Sequence, residues 1–380
     1  MADPLALPGL DASRVAIVHD WLITDRGGER VLETLCQLFP GATLFTLFRV
    51  PGTQAPAIER MKVKSSLISG LPLVRKIYRY YLPLFPRAIE ALDLRGFDLV
   101  ISSSHCAAKG VIPASGARHL CYCHTPMRYA YELFDDYFPP DKWAGLFHVA
   151  ARFIMSRVRR WDIASSTRVG RFLANSANTA LRIKKYYGRD SIVLYPPVDT
   201  DFFTPPATVT PPGSYLLTVS ALVPYKRIDR AILAAARSGI EYLVVGNGPE
   251  RRRLERIAPA TTRFLGNVGR SELRELYRGC AAFVLPGEED LGIAPIEAQA
   301  CGRPVVALAR GGAIETVVEG ETGLFFNEED PASLAGAIDK LGTFEFNSAA
   351  IRAQSLRFSR QIFEERLREL TTEFWNERQC

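Results

Sequence analysis

The sequence predicts an α/β protein made of two doubly wound parallel sheets. At 380 residues the chain exceeds one ordinary hydrophobic core. Short apolar runs alternate with helical patterns along its whole length, which is typical of parallel strands joined by helices. A proline-rich run at 204–213 interrupts this alternation once. We therefore expect one domain at residues 1–203 and a second at 204–358, followed by a separate C-terminal segment.

Six strand signals are present in each half. In the first half they lie at 14–19, 42–48, 97–102, 119–123, 172–176 and 191–195. In the second half they lie at 214–220, 241–245, 262–265, 281–285, 304–308 and 324–326. Continuous apolar runs are typical of strands buried on both faces, so we expect a doubly wound parallel sheet in each half, and the two sheets are expected to face one another.

The C-terminal segment, residues 359–380, predicts a helix from about Ser359 to Trp375. Its apolar residues recur with helical spacing and form one stripe: Phe363, Leu367, Leu370 and Phe374. An apolar stripe must pack against another element, and we expect this helix to bridge back to the first domain.

The composition is that of a globular protein, with 47% hydrophobic and 23% charged residues and a net charge of +6. No window approaches the length of a membrane-spanning helix. The first eleven residues lack a basic flank before an apolar core, so we expect a short disordered leader and not a signal peptide. The seven cysteines lie mostly in apolar runs, which favours buried free thiols in a reducing cytoplasm.

One stretch, residues 286–302, carries the strongest chemical signal. It joins two apolar runs, and Pro295 and Gly302 suit the first helical position and the residue just past the last. The start of the predicted helix therefore lies near the Gly292-Ile293-Ala294 tripeptide, whose unpaired N–H groups favour an anion. Gly292 also lets a ligand approach the backbone closely.

Two carboxylates bracket this anion site, Glu289 in the loop and Glu297 within the helix. An anion site between two acids suits a sugar nucleotide, because the amides hold a diphosphate and the acids hold hydroxyls. The alternative is that Glu289 is a solvated loop acid and Glu297 a helix acid favoured by the dipole. Glu288 is the expected bystander, since only Glu289 stands eight residues before Glu297.

Three further loops follow predicted strands. The turn at 24–28 ends in Gly27-Gly28 and opens a helix at 29–39, which predicts either a second anion-binding loop or only a tight turn. Lys226 and Arg227 follow the first strand of the second half and are candidates to neutralise a diphosphate. A glycine loop at 246–250 is a weak nucleotide signal.

Three histidines, His19, His105 and His124, follow strands of the first half. Ligands bind at the carboxyl ends of strands in open parallel sheets, so a shared cleft there is expected. His124 is the best placed, with Arg128 nearby. A single histidine is more often structural than chemical.

Two basic segments mark the first half. Residues 60–87 contain seven Lys or Arg and no acid, interleaved with apolar and aromatic residues, and residues 152–171 form a second basic helix. Such stretches suit an anionic membrane surface or a lipid diphosphate. Nucleic acid is a weaker alternative, since no nucleic-acid module is recognisable. A core-facing helix with a solvated basic face is the other alternative.

These motifs together resemble the retaining glycosyltransferases of family 4, which have the GT-B fold of two facing Rossmann-like domains. The resemblance covers essentially the whole chain. It is carried by the Glu289–Glu297 spacing and by three stretches, at 19–30, 123–129 and 222–229. The stretch Cys123-His124-Thr125-Pro126-Met127-Arg128-Tyr129 is similar to the O-antigen and exopolysaccharide mannosyltransferase branch.

The resemblance implies catalytic roles for three residues. Glu289 would contact the donor sugar hydroxyls, His124 would lie against the transferred sugar, and Lys226 would stabilise the leaving diphosphate. The remaining donor contacts that it implies come from Gly27, Gly28, Arg227, Gly292, Ile293, Ala294 and Glu297, of which Glu297 would bind the ribose.

The sequence departs from the family at two places. Many relatives have an arginine five residues before the lysine, where this chain has Ala221, and Arg227 is the expected substitute. The usual Gly-Phe after the first glutamate is Asp290-Leu291 here. Asp135 and Asp136 are adjacent and lack the alternate spacing of a metal-binding acid pair, and we expect neither a metal nor a cofactor beyond the donor substrate.

The resemblance implies transfer of a hexose, with mannose from GDP-mannose favoured, to a polyprenyl-diphosphate-linked saccharide in cell-surface polysaccharide synthesis. The basic segments favour a cytoplasmic enzyme held peripherally at the inner face of the membrane, with no nucleic-acid partner. A UDP-sugar donor, a nucleotide-sugar epimerase on the same fold and a non-catalytic sugar-nucleotide binding protein are the alternatives.

Overall fold

The computed structural model describes residues 4–23, 27–138, 145–207 and 213–377. Its contacts divide the chain into two units, residues 1–196 with 363–380 and residues 197–362. The divisions therefore fall after Pro196 and Ile362, whereas the sequence placed them after 203 and 358. Part of the proline-rich run, residues 208–212, lies outside the described residues.

The first unit contains a seven-stranded parallel sheet in the order β3-β2-β1-β4-β5-β6-β7. Its strands are β1 (Val15–His19), β2 (Thr43–Thr46), β3 (Lys62–Ser65), β4 (Leu99–Ser104), β5 (Arg118–Cys123), β6 (Arg171–Ala174) and β7 (Ser191–Val193). Six strands were expected, and β3 was missed because it is an edge strand with no apolar run: both of its lysines are exposed.

The helices of this unit correct two expectations. They are α1 (Gly27–Leu38), α2 (Pro56–Glu59), α3 (Val74–Ile77), α4 (Phe85–Glu90), α5 (Phe134–Tyr137), α6 (Leu146–Ser165) and α7 (Ala177–Tyr187). Gly27 and Gly28 belong to the first turn of α1 and not to the turn before it; residues 24–26 of that turn lie outside the described residues. The second basic helix is α6, which ends at Ser165, and Arg171 opens β6 instead.

The basic segment at 60–87 is not one amphipathic helix. It contains β3, a 3-10 turn at Leu67–Gly70, α3, a 3-10 helix at Tyr78–Leu84 and the start of α4. Leu73 has a left-handed backbone with φ of 50°, and Pro83 lies within the second 3-10 helix. Both features interrupt regular α-helix, since a proline cannot donate a backbone hydrogen bond.

The second unit contains a six-stranded parallel sheet in the order β10-β9-β8-β11-β12-β13. The strands are β8 (Tyr215–Val219), β9 (Glu241–Val245), β10 (Thr262–Gly266), β11 (Ala282–Leu285), β12 (Val305–Leu308) and β13 (Gly323–Phe326). The helices are α8 (Ile228–Ser238), α9 (Arg251–Ile257), α10 (Arg270–Gly279), α11 (Ile293–Ala300), α12 (Ala313–Thr316), α13 (Pro331–Lys340) and α14 (Ser348–Leu356). The final helix, α15 (Arg360–Asn376), begins here and continues in the first unit.

Each sheet is buried on both faces, as the continuous apolar runs predicted. In β1, Val15 and Ile17 join one hydrophobic cluster while Ala16 and Val18 join the other. In β11, Val284 joins one cluster and Phe283 and Leu285 join the other. The alternation follows from the two-residue period of a strand and leaves only the strand ends for polar chemistry.

Both ends of the described chain pack on the first unit. The apolar stripe of α15 lies in the same cluster as Leu7, Val15 and the core of α1. The Leu5 amide donates to the Leu38 carbonyl, and the Trp375 indole donates to the Pro8 carbonyl at 2.9 Å. The expectation of a disordered leader is therefore wrong for residues 4–11, because their apolar side chains are needed to cover this face of the core.

Six cysteines of the described residues are buried free thiols; Cys380 lies outside the described part of the chain. None of the helices that the structure describes is both long and apolar enough to cross a bilayer.

A buried ion pair joins α6 to the loop after β4. The Lys109 ammonium lies 2.7 Å from the Asp162 carboxylate and also donates to the Ser165 hydroxyl at 2.9 Å. The second oxygen of Asp162 accepts from the Tyr131 and Tyr187 hydroxyls, each at 2.8 Å. Since Lys109 is 1% exposed and Asp162 fully buried, removing one charge leaves the other without compensation.

We predict that Lys109→Met lowers the free energy of unfolding by about 3–5 kcal/mol, because the Asp162 carboxylate is then buried alone. Urea denaturation measures this. Lys184→Met is the matched control: the Lys184–Asp190 pair is largely exposed, so its loss changes stability by less than about 1 kcal/mol. Equal losses in the two variants would contradict the prediction.

Candidate active site

In each sheet, loops at the point where the strand order reverses carry candidate site residues. In the first unit this point is between β1 and β4, and His19 pairs in register with Ser103 there. In the second unit it is between β8 and β11, whose following loops carry Lys226 and Glu289. Ligands of open α/β sheets bind beyond the carboxyl ends of the strands at this switch point.

In the second unit Lys226 and Glu289 form a close ion pair, although 63 positions separate them in the sequence. Their side chains are 17% and 16% exposed, so the pair is accessible at its edge but largely shielded from water. Shielding strengthens the attraction between charges. A lysine offers three donors and a carboxylate two acceptor oxygens, so the two groups could bind an anionic and a hydroxyl-bearing part of one ligand.

Glycine brings these two loops into contact. A Cβ on Gly287 would lie 2.7 Å from the Tyr225 carbonyl oxygen and 3.1 Å from the Lys226 carbonyl carbon. From the other side, Gly311 and Gly312 abut the backbone of 289–291, and the Gly312 amide donates to the Glu289 carbonyl at 2.8 Å. The loop carrying Glu289 is therefore held between two others by backbone contacts.

The glycine loop after β9 has the same packing role. A Cβ on Gly246 would collide with the Ser220 carbonyl, and one on Gly248 with the Leu222 carbonyl. Gly246 also has a positive φ of 122°. The sequence was a weak indication of a nucleotide-binding loop here. Both glycines pack against the loop that leads to Lys226, which is sufficient reason for glycine at these positions.

Helix α11 begins at Ile293, two residues before the expected start at Pro295. The N-cap residue, Gly292, has φ of 89° and no side-chain cap, so the N–H groups of Ile293 and Ala294 belong to the uncapped first turn. Gly302, with φ of 77°, follows the C-cap residue as expected. Glu297 lies within the helix and accepts a hydrogen bond from the Tyr277 hydroxyl at 2.8 Å.

Tyr277 was not predicted as a site residue. It is fully buried on α10, and burial together with the nearby Glu297 raises the pKa of its hydroxyl well above the ordinary value. The phenol therefore stays protonated and remains a donor that orients Glu297. Only the fold brings α10 beside α11, so no local pattern could have indicated this pair.

Arg227 has a left-handed backbone with φ of 53° between a 3-10 turn and α8. Its guanidinium lies 3.7 Å from the Glu329 carboxylate, which also pairs with Arg230 at 2.6 Å. Glu329, the acid beside Arg227, was not predicted as a site residue. That Arg227 assists Lys226 stays a prediction.

In the first unit three side chains form a hydrogen-bonded row. The Ser103 hydroxyl lies 3.1 Å from Nδ1 of His19 and 2.8 Å from Nε2 of His124. Burial, with a contribution from His105, lowers the pKa of His19 to about 3 and also lowers that of the half-buried His124. Both imidazoles are therefore neutral at neutral pH. A Cβ on Gly28 would lie 3.6 Å from the His124 ring, so the start of α1 approaches this histidine.

Asp20 anchors the third histidine. Its fully buried carboxylate accepts the backbone N–H groups of four consecutive residues, 105–108, at 2.5–2.9 Å. It also lies 3.0 Å from Nδ1 of His105. Asp20 and Ser103 were missed as site residues; they stand beside His19 and before His105 at the two strand ends, but neither has a chemical signature of its own.

The structure thus brings together His124 with Gly28 in the first unit and Lys226 with Glu289 in the second. Gly292, Ile293, Ala294 and Glu297 share α11 and its start. His119, within β5, is structural, since its ring bonds the Ser102 hydroxyl and the Arg168 carbonyl. Among the described residues no cluster of three or more His, Cys, Asp or Glu side chains is arranged to hold a metal ion.

Comparison with solved structures defines the class of the fold. The chain superposes on HepE from Anabaena, solved with UDP and glucose, with a TM-score of 0.67 at 16% identity, covering 94% of this chain and 99% of that one. Sucrose-phosphate synthase from Thermosynechococcus elongatus gives 0.66 at 18% identity, covering 95% and 98%. The fold is GT-B, the two-domain Rossmann-like architecture.

Family models identify both halves of the chain. Residues 26–202 match the model described as Glycosyltransferase Family 4, and residues 206–352 match the model described as Glycosyl transferases group 1. Each half of the chain is therefore similar to a glycosyltransferase domain.

The matches to curated relatives cover only part of each protein. A D-inositol 3-phosphate glycosyltransferase from Geodermatophilus obscurus is 35% identical over 221 residues, which are 50% of this chain and 49% of that protein. One of the same name from Mycobacterium bovis is 30% identical over 194 residues, 45% and 40% of the two chains. The matches thus span about half the length of these relatives.

We predict that Gly287→Ala destabilises the protein by about 1–3 kcal/mol, because its methyl group would press on the backbone of Tyr225 and Lys226. Chemical denaturation measures the change. Gly336→Ala is the control: it lies exposed in the interior of α13, its added Cβ meets nothing within 4 Å and alanine favours helix over glycine, so stability stays equal or rises by up to about 1 kcal/mol. A neutral Gly287→Ala would show that the two loops are not rigidly packed.

Proposed function

We propose that this protein transfers a hexose from a nucleotide-sugar donor to a lipid-linked saccharide. The observation that supports it best is the Lys226–Glu289 pair at the switch point of the second sheet, in the part of the chain matched by the group 1 glycosyltransferase model. Helix α11, whose first turn has no side-chain cap, begins four residues after Glu289. A cation, a helix start and a carboxylate are the groups that a sugar diphosphate needs.

The chemistry follows from where charge develops. When the bond between the anomeric carbon and the diphosphate breaks, the electron pair goes to the leaving oxygen, and its negative charge must be stabilised. Lys226 supplies a full positive charge and the α11 amides supply dipoles. A diphosphate bound to Lys226 would replace Glu289 as its partner, and the freed carboxylate would then accept hydrogen bonds from sugar hydroxyls.

Glu297 is proposed to bind the ribose. Its carboxylate accepts from the Tyr277 hydroxyl, which orients it, and carboxylate oxygens are the acceptors that the two hydroxyls of a ribose diol require. Gly27, Gly28 and Arg227 are proposed to complete the diphosphate contacts and His124 to contact the transferred sugar, as the family resemblance implies.

The proposed donor is GDP-mannose, on the similarity of residues 123–129 to mannosyltransferases. A UDP-sugar is the second candidate, since the similar HepE structures hold UDP, UDP-glucose, or UDP with glucose. For the acceptor, a polyprenyl-diphosphate-linked saccharide is proposed, and D-inositol 3-phosphate is the competing candidate because the curated relatives carry that name.

We predict that one class of nucleotide sugar raises the melting temperature in a screen of GDP-, UDP- and ADP-sugars, since a ligand at 100 times its Kd adds about 2.7 kcal/mol. Glu289→Gln and Lys226→Met should then lower kcat/KM for transfer by about 100- to 1000-fold, the usual cost of losing one charge-stabilising group. Glu288→Gln is the matched control and should keep activity within about threefold.

Full activity in both Glu289→Gln and Lys226→Met would refute a catalytic site at this pair and favour a binding protein. Incubation of the donor without acceptor distinguishes a transferase from an epimerase. A transferase hydrolyses the donor slowly, whereas an epimerase inverts a sugar carbon and leaves the nucleotide attached.

A basic and apolar surface of the first unit is proposed to hold the enzyme at the inner face of an anionic membrane. In the segment 60–87 large apolar side chains are exposed beside exposed Lys and Arg: Leu67 is 83% exposed, Leu73 66% and Tyr80 70%. Arg75, Lys76 and Arg79 are exposed among them, and the segment contains no acid. Apolar insertion and basic charge together are the two signals that peripheral binding requires.

Helix α6 contributes a second part of this surface. It buries one narrow stripe, which includes Met155, Val158 and Asp162. Its outward side exposes Phe147, Val149 and Phe153, at 74%, 64% and 58%, together with several arginines. A helix with this distribution suits the interface between headgroups and acyl chains.

We predict that Arg75→Gln/Lys76→Gln/Arg79→Gln weakens binding to phosphatidylglycerol vesicles on the order of 100-fold, at about 1 kcal/mol per basic residue. Vesicle co-sedimentation at low and high salt measures this. The control triple, Arg237→Gln/Arg252→Gln/Arg256→Gln, removes three exposed charges from the second unit and should bind normally. Equal binding by both triples, or binding to neutral vesicles alone, would refute the proposed surface.

A further inference from the structure

The histidine cluster of the first unit, His19, His105 and His124, is held by more hydrogen bonds than a single sugar contact at His124 requires. The Asp20 carboxylate accepts hydrogen bonds from four backbone amides and lies beside one imidazole, and the Ser103 hydroxyl links two other imidazoles. The ring centroids of His105 and His124 are 6.2 Å apart at 72°. These hydrogen bonds determine which nitrogen of each ring carries a proton.

We infer that His105 is a second substrate-binding histidine, which Asp20 orients to accept a hydrogen bond from a sugar hydroxyl while His124 donates one. The inference deepens the proposed function and rests on it for the identity of the ligand. The ligand class is an uncharged hydroxyl, which belongs either to the donor sugar or to the acceptor.

The proton of His105 follows from Asp20. A carboxylate has only acceptors, so the Nδ1 atom 3.0 Å from Asp20 must carry hydrogen. In the neutral imidazole Nε2 then has the free lone pair. The His105 side chain is 32% exposed, whereas Asp20 is fully buried, so the ring extends from its buried anchor towards solvent.

The ring has little freedom to turn away. Trp21 packs edge-on against it with centroids 4.5 Å apart, and the four amides bound to Asp20 include that of His105 itself. Asp20 thus acts twice, on the backbone and on the ring of the same residue. It is a positioning residue and does not itself contact the ligand.

The proton of His124 follows from His19. Nε2 of His19 is buried without a hydrogen-bond partner, and a buried N–H left unpaired is rarer than an unpaired acceptor. His19 therefore carries its proton on Nδ1 and donates to the Ser103 hydroxyl. Ser103 then donates to Nε2 of His124, whose own proton is on Nδ1.

Two neighbouring imidazoles consequently have opposite roles, with an acceptor on His105 and a donor on His124. A hydroxyl is both donor and acceptor, so one hydroxyl, or two on the same sugar, satisfies both rings. The diphosphate of a nucleotide sugar satisfies only the donor, since it is esterified at both ends and has no proton to give at neutral pH. This pattern favours the neutral sugar over the diphosphate at this end of the site.

The first test is spectroscopic and does not depend on activity. Correlation of ring nitrogens and carbon-bound protons in the full-length protein, labelled with ¹⁵N-histidine, assigns each proton. We expect His105 and His124 both protonated at Nδ1 only, and Ser103→Ala to change His124 while leaving His105 unchanged. A proton on Nε2 of His105, or a fully protonated His105 ring at neutral pH, would overturn the inference.

Methyl α-D-mannopyranoside and methyl α-D-glucopyranoside then serve as hydroxyl probes. At least one should shift the Nε2 resonance of His105, and dimethyl phosphate, a phosphodiester with no proton to donate, should not at equal concentration. Absence of any shift with both glycosides would overturn the inference. If a glycoside shifts the His105 resonance but the protein turns over no nucleotide sugar, the histidine assignment is correct and the proposed function is wrong.

The second test is kinetic. His105→Asn keeps a donor for Asp20 but removes the acceptor at Nε2, and we expect about a tenfold loss in kcat/KM for transfer, the cost of one hydrogen bond. His105→Gln places an amide oxygen near the Nε2 position and should recover most of this loss. His148→Asn, on α6, is the control and should leave kcat/KM unchanged.

Slow donor hydrolysis without acceptor distinguishes the two sources of the hydroxyl. If His105→Asn lowers hydrolysis and transfer equally, the hydroxyl belongs to the donor sugar. If it lowers only transfer, and raises the KM of the acceptor, the hydroxyl belongs to the acceptor. Unchanged kinetics in both reactions would overturn the inference.

Discussion

Close backbone contact between loops is the constraint on which the second unit's site depends. Lys226 and Glu289 meet because Gly287 allows one loop to lie directly on the other, and Gly311 and Gly312 press on the same loop from behind. The loop after β9 supports the first of them through Gly246 and Gly248. A charged pair with little water around it must be held rigidly, and backbone packing holds it more firmly than flexible side chains would.

Much of the fold could be predicted from the sequence, because strands buried on both faces leave continuous apolar runs. All six expected strands of each half are present. The seventh, β3, lies at an edge where lysines face solvent, and an edge strand needs no apolar run. The helix boundaries were less accurate, since the start of α11 is set by the positive φ of Gly292 and not by the proline after it.

The site residues also differ in whether the sequence could predict them. Residues with a chemical signature in their own loop, such as Glu289, Lys226 and His124, could be predicted at the strand ends where the structure has them. Their partners could not. Asp20 and Tyr277 act through hydrogen bonds to residues distant in sequence, and only the strand order and the packing of α10 against α11 create those contacts.

The buried Lys109–Asp162 pair has a mechanical consequence. Lys109 directly follows the four residues whose amides hold Asp20, and Asp162 belongs to α6, the helix with exposed phenylalanines. One short segment, residues 105–109, is therefore attached to the histidine cluster at one end and to the surface helix at the other. Because the Asp20 and Lys109 side chains that make these attachments are buried, residues 105–109 are held in place both against the histidine cluster and against α6.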